Sequence, residues 1–145
     1  MKIATLYLAV GLILTANFAL AQAKATDPDA HARQVLMDAN SMALVALSNM
    51  IITERPYDAA AAAAAKAALI ANAADIPVKF KANTSDPASR AKPEIWANWD
   101  DFSAKAAALG TATTALDTSS LDSIKAGINA VGGTCAACHS TYRTK

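Results

Sequence analysis

Beyond residue 27, apolar residues recur at steps of three and four, and no segment alternates apolar with polar residues over the length of a strand. Such steps gather one apolar stripe on one side of a helix, because 3.6 residues complete a turn. The pattern and its punctuation predict four helices. Helix A spans residues 28–50 behind an N-cap at Thr26 or Asp27. Pro56 ends it, since the residue before a proline avoids helical geometry. Asp58 caps helix B, residues 59–74. Helix C opens at Pro93, with Glu94 at its positive end. Its stripe of Ile95, Trp96, Trp99, Phe102, Ala106 and Leu109 reads as core, with a tryptophan against a cofactor as the secondary reading. Ser119 or Ser120 caps helix D, which runs from Leu121 to the C-terminus. A polar connection of about 17 residues, 76–92, bears Pro77 and Pro87 and separates helices B and C. That length marks a functional or mobile loop.

Four helices joined in sequence make an all-α, antiparallel up-down-up-down four-helix bundle the economical architecture. Composition agrees, because the chain has only five glycines and five prolines, and helix B opens on seven consecutive alanines. Alanine is the strongest helix former, and its small side chain admits a neighbouring helix closely.

The N-terminus is of another kind. Met1-Lys2 supplies a positive start, residues 3–14 are uncharged and largely apolar, and Ala19-Leu20-Ala21 fits a signal-peptidase site, with Ala21-Gln22-Ala23 a second. Residues 1–21 are expected to be a cleaved secretory signal peptide and residues 22–145 one helical domain. No stop-transfer flank follows, so no membrane anchor is expected after cleavage. Loss of Lys2 from the 13 basic residues leaves 12 against 12 acidic ones. That balance, without any basic run, excludes nucleic acid as a partner. Export places the protein in the periplasm, where cysteines can pair.

The only two cysteines stand in the stretch CAACH, at Cys135 and Cys138, with His139 directly after them. A disulfide, a zinc ion and a haem are the candidates. A redox dithiol needs a βαβ setting, and zinc needs four ligands, while the other histidine, His31, lies near the opposite end. Neighbouring helical positions diverge by about 100°, which suits a flat macrocycle better than a tetrahedral ion. Cys-x-x-Cys-His is the attachment signature of haem c, with Cys135 and Cys138 as thioethers and His139 as the proximal axial ligand.

The other axial position decides what such a haem does. Helix A holds Met37, Met42 and Met50. Met37 shares a face with Arg33, Asn40, Leu44 and Ile51, but periodicity leaves open which face meets the haem. A helical methionine also serves simply as core filler.

A single CAACH near the C-terminus of a four-helix chain resembles the class II c-type cytochromes, the cytochrome c′ family. The stretches RQVLM, RPYDAA and KPEIWANWDDF agree, so the likeness spans essentially the whole mature chain. The resemblance implies one covalent haem c per chain and electron transfer rather than enzymatic chemistry. Family members carry an arginine or another residue four positions before the residue that covers the distal haem face, and Arg33 stands so before Met37. That covering residue is commonly leucine or another apolar side chain in the gas-binding members and an iron-ligating methionine in the low-spin branch. On that pattern Met37 is the distal axial ligand, and Met42 and Met50 are packing. The protein would then exchange electrons with periplasmic redox partner proteins. The alternative is a five-coordinate cytochrome c′ that binds nitric oxide or carbon monoxide. Arg143, four positions after His139, matches the family's basic residue near the haem and reads equally as a cation favoured at a helix C-terminus. Arg33 reads either as a partner for a haem propionate or as a surface arginine. Tyr57 and Tyr142 read as packing and His31 as an exposed residue of the first turn. Pairing through the first two helices, a homodimer, is a further implication.

Overall fold

A computed structural model of the protein describes residues 23–52 and 56–145. The expected leader, residues 1–21, lies outside the described residues. Five helices are present among them: α1 (Pro28–Ile52), α2 (Ala59–Lys79), α3 (Glu94–Ala97), α4 (Trp99–Ala115) and α5 (Leu121–Tyr142). α1 packs on α2 and α5, and α4 packs on the same two, which closes the expected four-helix bundle. The short α3 lies against α4 and α5.

The caps follow from residue chemistry. Asp27 Oδ1 accepts from the Ala30 N–H at 2.8 Å, Asp58 Oδ1 from Ala61 at 3.0 Å, and Ser120 Oγ from Ser123 at 3.1 Å. Each satisfies an amide that the helix itself leaves unpaired. Apolar stripes then meet in one core of Leu36, Leu47 and Met50 from α1, Leu69 and Ile76 from α2, Phe102 and Leu109 from α4, and Ile124, Val131 and Tyr142 from α5. Burying each large aliphatic side chain contributes about 1.5–3 kcal/mol. The alanines Ala62, Ala65 and Ala73 supply the small buried face of α2.

Four boundaries differ from the expected ones. α1 continues to Ile52. α2 runs through Pro77 to Lys79. Pro77 gives up one N–H, but burial of Ile76 and Phe80 on either side offsets that loss. Phe80 closes the helix by donating to Ile76 O at 3.0 Å and sets its ring 5.2 Å from that of Phe102. Helix C is broken at Asn98, which leaves helical geometry at φ −127°, ψ 49° and divides α3 from α4. Helix D stops at Tyr142, and Arg143 is extended.

The connection from α2 to α3 is shorter than expected and densely tied down. Asp86 accepts from the Thr26 and Asp27 amides at 2.8 and 2.9 Å, from the Thr26 hydroxyl at 3.0 Å and from the Ala88 amide at 2.8 Å. Gln34 donates to Ala23 O and Ala88 O and accepts from the Ala25 amide. At its far end an antiparallel bridge joins Ala91 to Arg143, flanked by Lys92 N–H to Tyr142 O at 3.0 Å and Thr144 N–H to Arg90 O at 2.9 Å. The segment therefore clamps the N-terminal residues at one side and the C-terminal residues at the other.

Candidate cofactor site

A cavity of about 440 Å³ opens between α1, α2, α4 and α5, within the size range of a small-molecule site. Leu44, Leu69, Phe102 and Leu109 give it an apolar wall, and Met37, Cys135, Cys138 and His139 all line it. Cys135 and Cys138 are three positions apart, so α5 presents both on one face. Both thiols are free and half-buried, and burial raises their pKa, which keeps them protonated at neutral pH. Burial lowers the pKa of His139, and the cations Arg143 and Arg90 lower it further. The imidazole is therefore neutral and keeps the lone pair that a metal ligand needs. Among the described residues no group of three His, Cys, Asp or Glu side chains is arranged to hold a metal ion by itself.

Arg33 is 3% exposed, which overturns its reading as a surface arginine. Its guanidinium donates to Ala82 O at 2.9 Å and to Thr84 O at 3.0 Å, and lies 5.7 and 5.3 Å from the ring centres of Phe80 and Trp96. Most of the fork is thus engaged with backbone carbonyls and aromatic faces. The buried Nε, on a residue that lines the cavity, has no partner among the described residues. Arg143 is exposed; it lines the cavity, and its backbone N–H caps the C-terminus of α5.

The three methionines of α1 separate cleanly. Met37 is half-buried on the cavity wall, and Met50 is in the core. Met42 is 73% exposed, so it is not packing. Its helix position turns it outward with Val35, Val45 and Ile52. Trp96 and Trp99 lie off the cavity wall; the Trp96 indole donates to Phe80 O at 2.8 Å, and Trp99 stacks 5.6 Å from Phe102. His31 is half-buried rather than exposed, and its Nδ1 is buried without a partner among the described residues. Tyr57 and Tyr142 do more than pack. The Tyr57 hydroxyl donates to Thr118 O at 2.6 Å, and that of Tyr142 to Asp101 at 2.6 Å. Periodicity missed Arg90 on the cavity wall, because it lies in irregular chain with no repeat to mark it.

These features fit a haem attached through two thioethers: paired thiols on one helix face, an adjacent neutral imidazole, apolar walls and a buried N–H without a partner among the described residues. Together with the bundle they define a c-type haem protein of the four-helix kind. The family model described as Cytochrome C′ matches residues 29–143, and the chain belongs to that family. It is 38% identical over 117 residues to the cytochrome c-556 of Agrobacterium fabrum (strain C58 / ATCC 33970), covering 78% of this chain and 79% of that protein. A structure of oxidized R. palustris cytochrome c556 superposes with a TM-score of 0.74 at 27% identity, covering 81% of this chain and 97% of that one. A cytochrome c′ whose structure is described as having an unusual ligand-controlled dimer dissociation gives a TM-score of 0.70 at 25% identity, covering 81% and 95%. The protein is a c-type haem electron carrier, and covalently attached haem c is its cofactor.

Proposed function

We propose that this protein is a periplasmic, low-spin, one-electron carrier in which Cys135 and Cys138 hold the haem and His139 and Met37 are its axial ligands. One observation carries the reading: of the three methionines on α1, only Met37 lines the cavity that His139 also lines. The haem supplies a one-electron iron couple, whose potential a thioether ligand raises. The chain's own residues hold it and exclude water from it. The leucines and Phe102 close the apolar wall, neutral His139 offers its lone pair, buried Arg33 supplies positive charge inside the cavity wall, and exposed Arg143 supplies it at the surface.

Residues 1–21 act as the export signal in this reading, and N-terminal sequencing of the periplasmic protein tests the cut after Ala21 or Ala23. Pairing of two copies through α1 and α2 is supported by the exposed apolar side chains of Val35, Met42, Val45, Ile52, Ile70 and Val78.

Absorption spectra of both redox states test the ligation. The expected result is low-spin iron in each state and slow carbon monoxide binding to the reduced protein, with Met37→Ala opening the site to the gas. A high-spin spectrum with rapid gas binding in the unsubstituted protein overturns it and selects gas binding instead.

A further inference from the structure

Asn40 has an anomalous environment. Both of its amide atoms, Nδ2 and Oδ1, are buried without a hydrogen-bond partner among the described residues. Buried amides are very seldom left so, because desolvation without a replacement bond is costly. Asn40 also lines the cavity, three positions after Met37 and on the same face of α1. Side chains on a helix lean toward its N-terminus, which directs the Asn40 side chain toward the turn that carries Met37. Arg33, four positions before Met37, has its fork tied to the Ala82 and Thr84 carbonyls. Asn40, the amide residue on the turn after Met37, thus lines the same cavity with its donor unpaired among the described residues.

We infer that Asn40 is a positioning residue for the distal ligand, donating its amide N–H to the thioether sulfur of Met37. The inference rests on Met37 as ligand. A thioether is a weak acceptor, so the bond is modest. It has two effects. It selects one orientation of the sulfur, and it withdraws electron density from the lone pair that faces the iron. Less donation favours the reduced state, in the way that outer partners commonly tune a metal through its ligands.

The test compares the holoprotein with its Asn40→Leu and Asn40→Gln variants. Leucine keeps the volume and removes the amide, whereas glutamine keeps a donor. The readouts are spin state, the sulfur-to-iron charge-transfer band of the oxidised protein, the equilibrium with a soluble redox couple of fixed potential, and carbon monoxide binding to the reduced protein. The expected result for Asn40→Leu is a retained low-spin spectrum with a shifted charge-transfer band. Its redox equilibrium should move toward the oxidised form on the order of fivefold, the equivalent of one hydrogen bond. Carbon monoxide should bind faster, and Asn40→Gln should recover part of each change. A low-spin Asn40→Leu variant with band, equilibrium and gas binding unchanged overturns the inference and leaves Met37 as ligand. A changed equilibrium with an unchanged band also overturns it, because the amide then serves a group other than the sulfur. A high-spin spectrum in the unsubstituted protein removes the Met37 reading, and this inference with it.

Discussion

The hydroxyl of Tyr142, in the last turn of α5, donates to Asp101 Oδ2 in the first turn of α4 across 2.6 Å. The Tyr142 ring meets Phe102 edge-on at 5.4 Å, and its carbonyl accepts from Lys92. One residue thus fixes the end of the helix that carries His139 three positions earlier.

That bond has a pH signature. Donation to Asp101, then burial, pushes the Tyr142 phenol up to about 12, above its ordinary value. A raised folded-state pKa contributes stability that is complete below about pH 10 and is lost as pH rises through about 12. Urea midpoints measured over that window should fall for the unsubstituted protein. Tyr142→Phe should start lower at neutral pH and lack this part of the alkaline decline. An equally steep decline in the variant would refute the assignment.

Asp86 gives the opposite sign. Amide hydrogen bonds, led by that from Asp27, hold its carboxyl down to about 2. A depressed pKa contributes stability that is present above about pH 4 and is lost as pH falls through about 2. Asp86→Asn should therefore be less stable at neutral pH and should lose less on acidification. Acid titration followed by circular dichroism checks both.

Arg33→Lys should be costly although the charge is kept. An ammonium cannot reach both Ala82 and Thr84 with one rigid fork while staying over the Phe80 and Trp96 rings. The expected loss is about 2 kcal/mol or more, read from denaturant midpoints at constant m.

Met42→Ala should leave the stability of a monomer within about 0.5 kcal/mol, since the side chain is largely in water. Met42→Asp should shift a dimer toward monomer in sedimentation velocity, because it places a charge in the apolar stripe of α1. An unchanged sedimentation coefficient in a protein that does dimerise would put the interface elsewhere.

Gly133 lies inside α5, and a Cβ built there meets nothing within 4 Å. Gly133→Ala should stabilise the protein by about 0.5–1 kcal/mol, because alanine costs less chain entropy in a helix. Thermal unfolding measures it.

Much of this was legible along the chain. Asp27, Asp58 and Ser120 cap where the residue chemistry places them, because an N-cap is a local bond between neighbours. CAACH named the cofactor for the same reason, as its spacing carries the chemistry. Pro77 and Asn98 misled in opposite directions. Proline breaks helices on average, yet the burial of Ile76 and Phe80 carries α2 past Pro77. Asn98 breaks helix C, with nothing in the local pattern to announce it.

The separation of the three methionines marks the boundary between the two kinds of information. Cys135, Cys138 and His139 are close in sequence, so a helix alone aligns them. Met37, Met42 and Met50 are equally apolar and lie on one helix, and periodicity could not say which would face the cavity. Packing of α1 against α2 and α5 put Met37 on the wall, Met50 in the core and Met42 in water. It also buried Arg33 under Phe80 and Trp96, partners 47 and 63 residues away in the chain. Local chemistry depends on neighbours that the chain itself supplies, whereas a helix's facing direction depends on the surface it meets after folding.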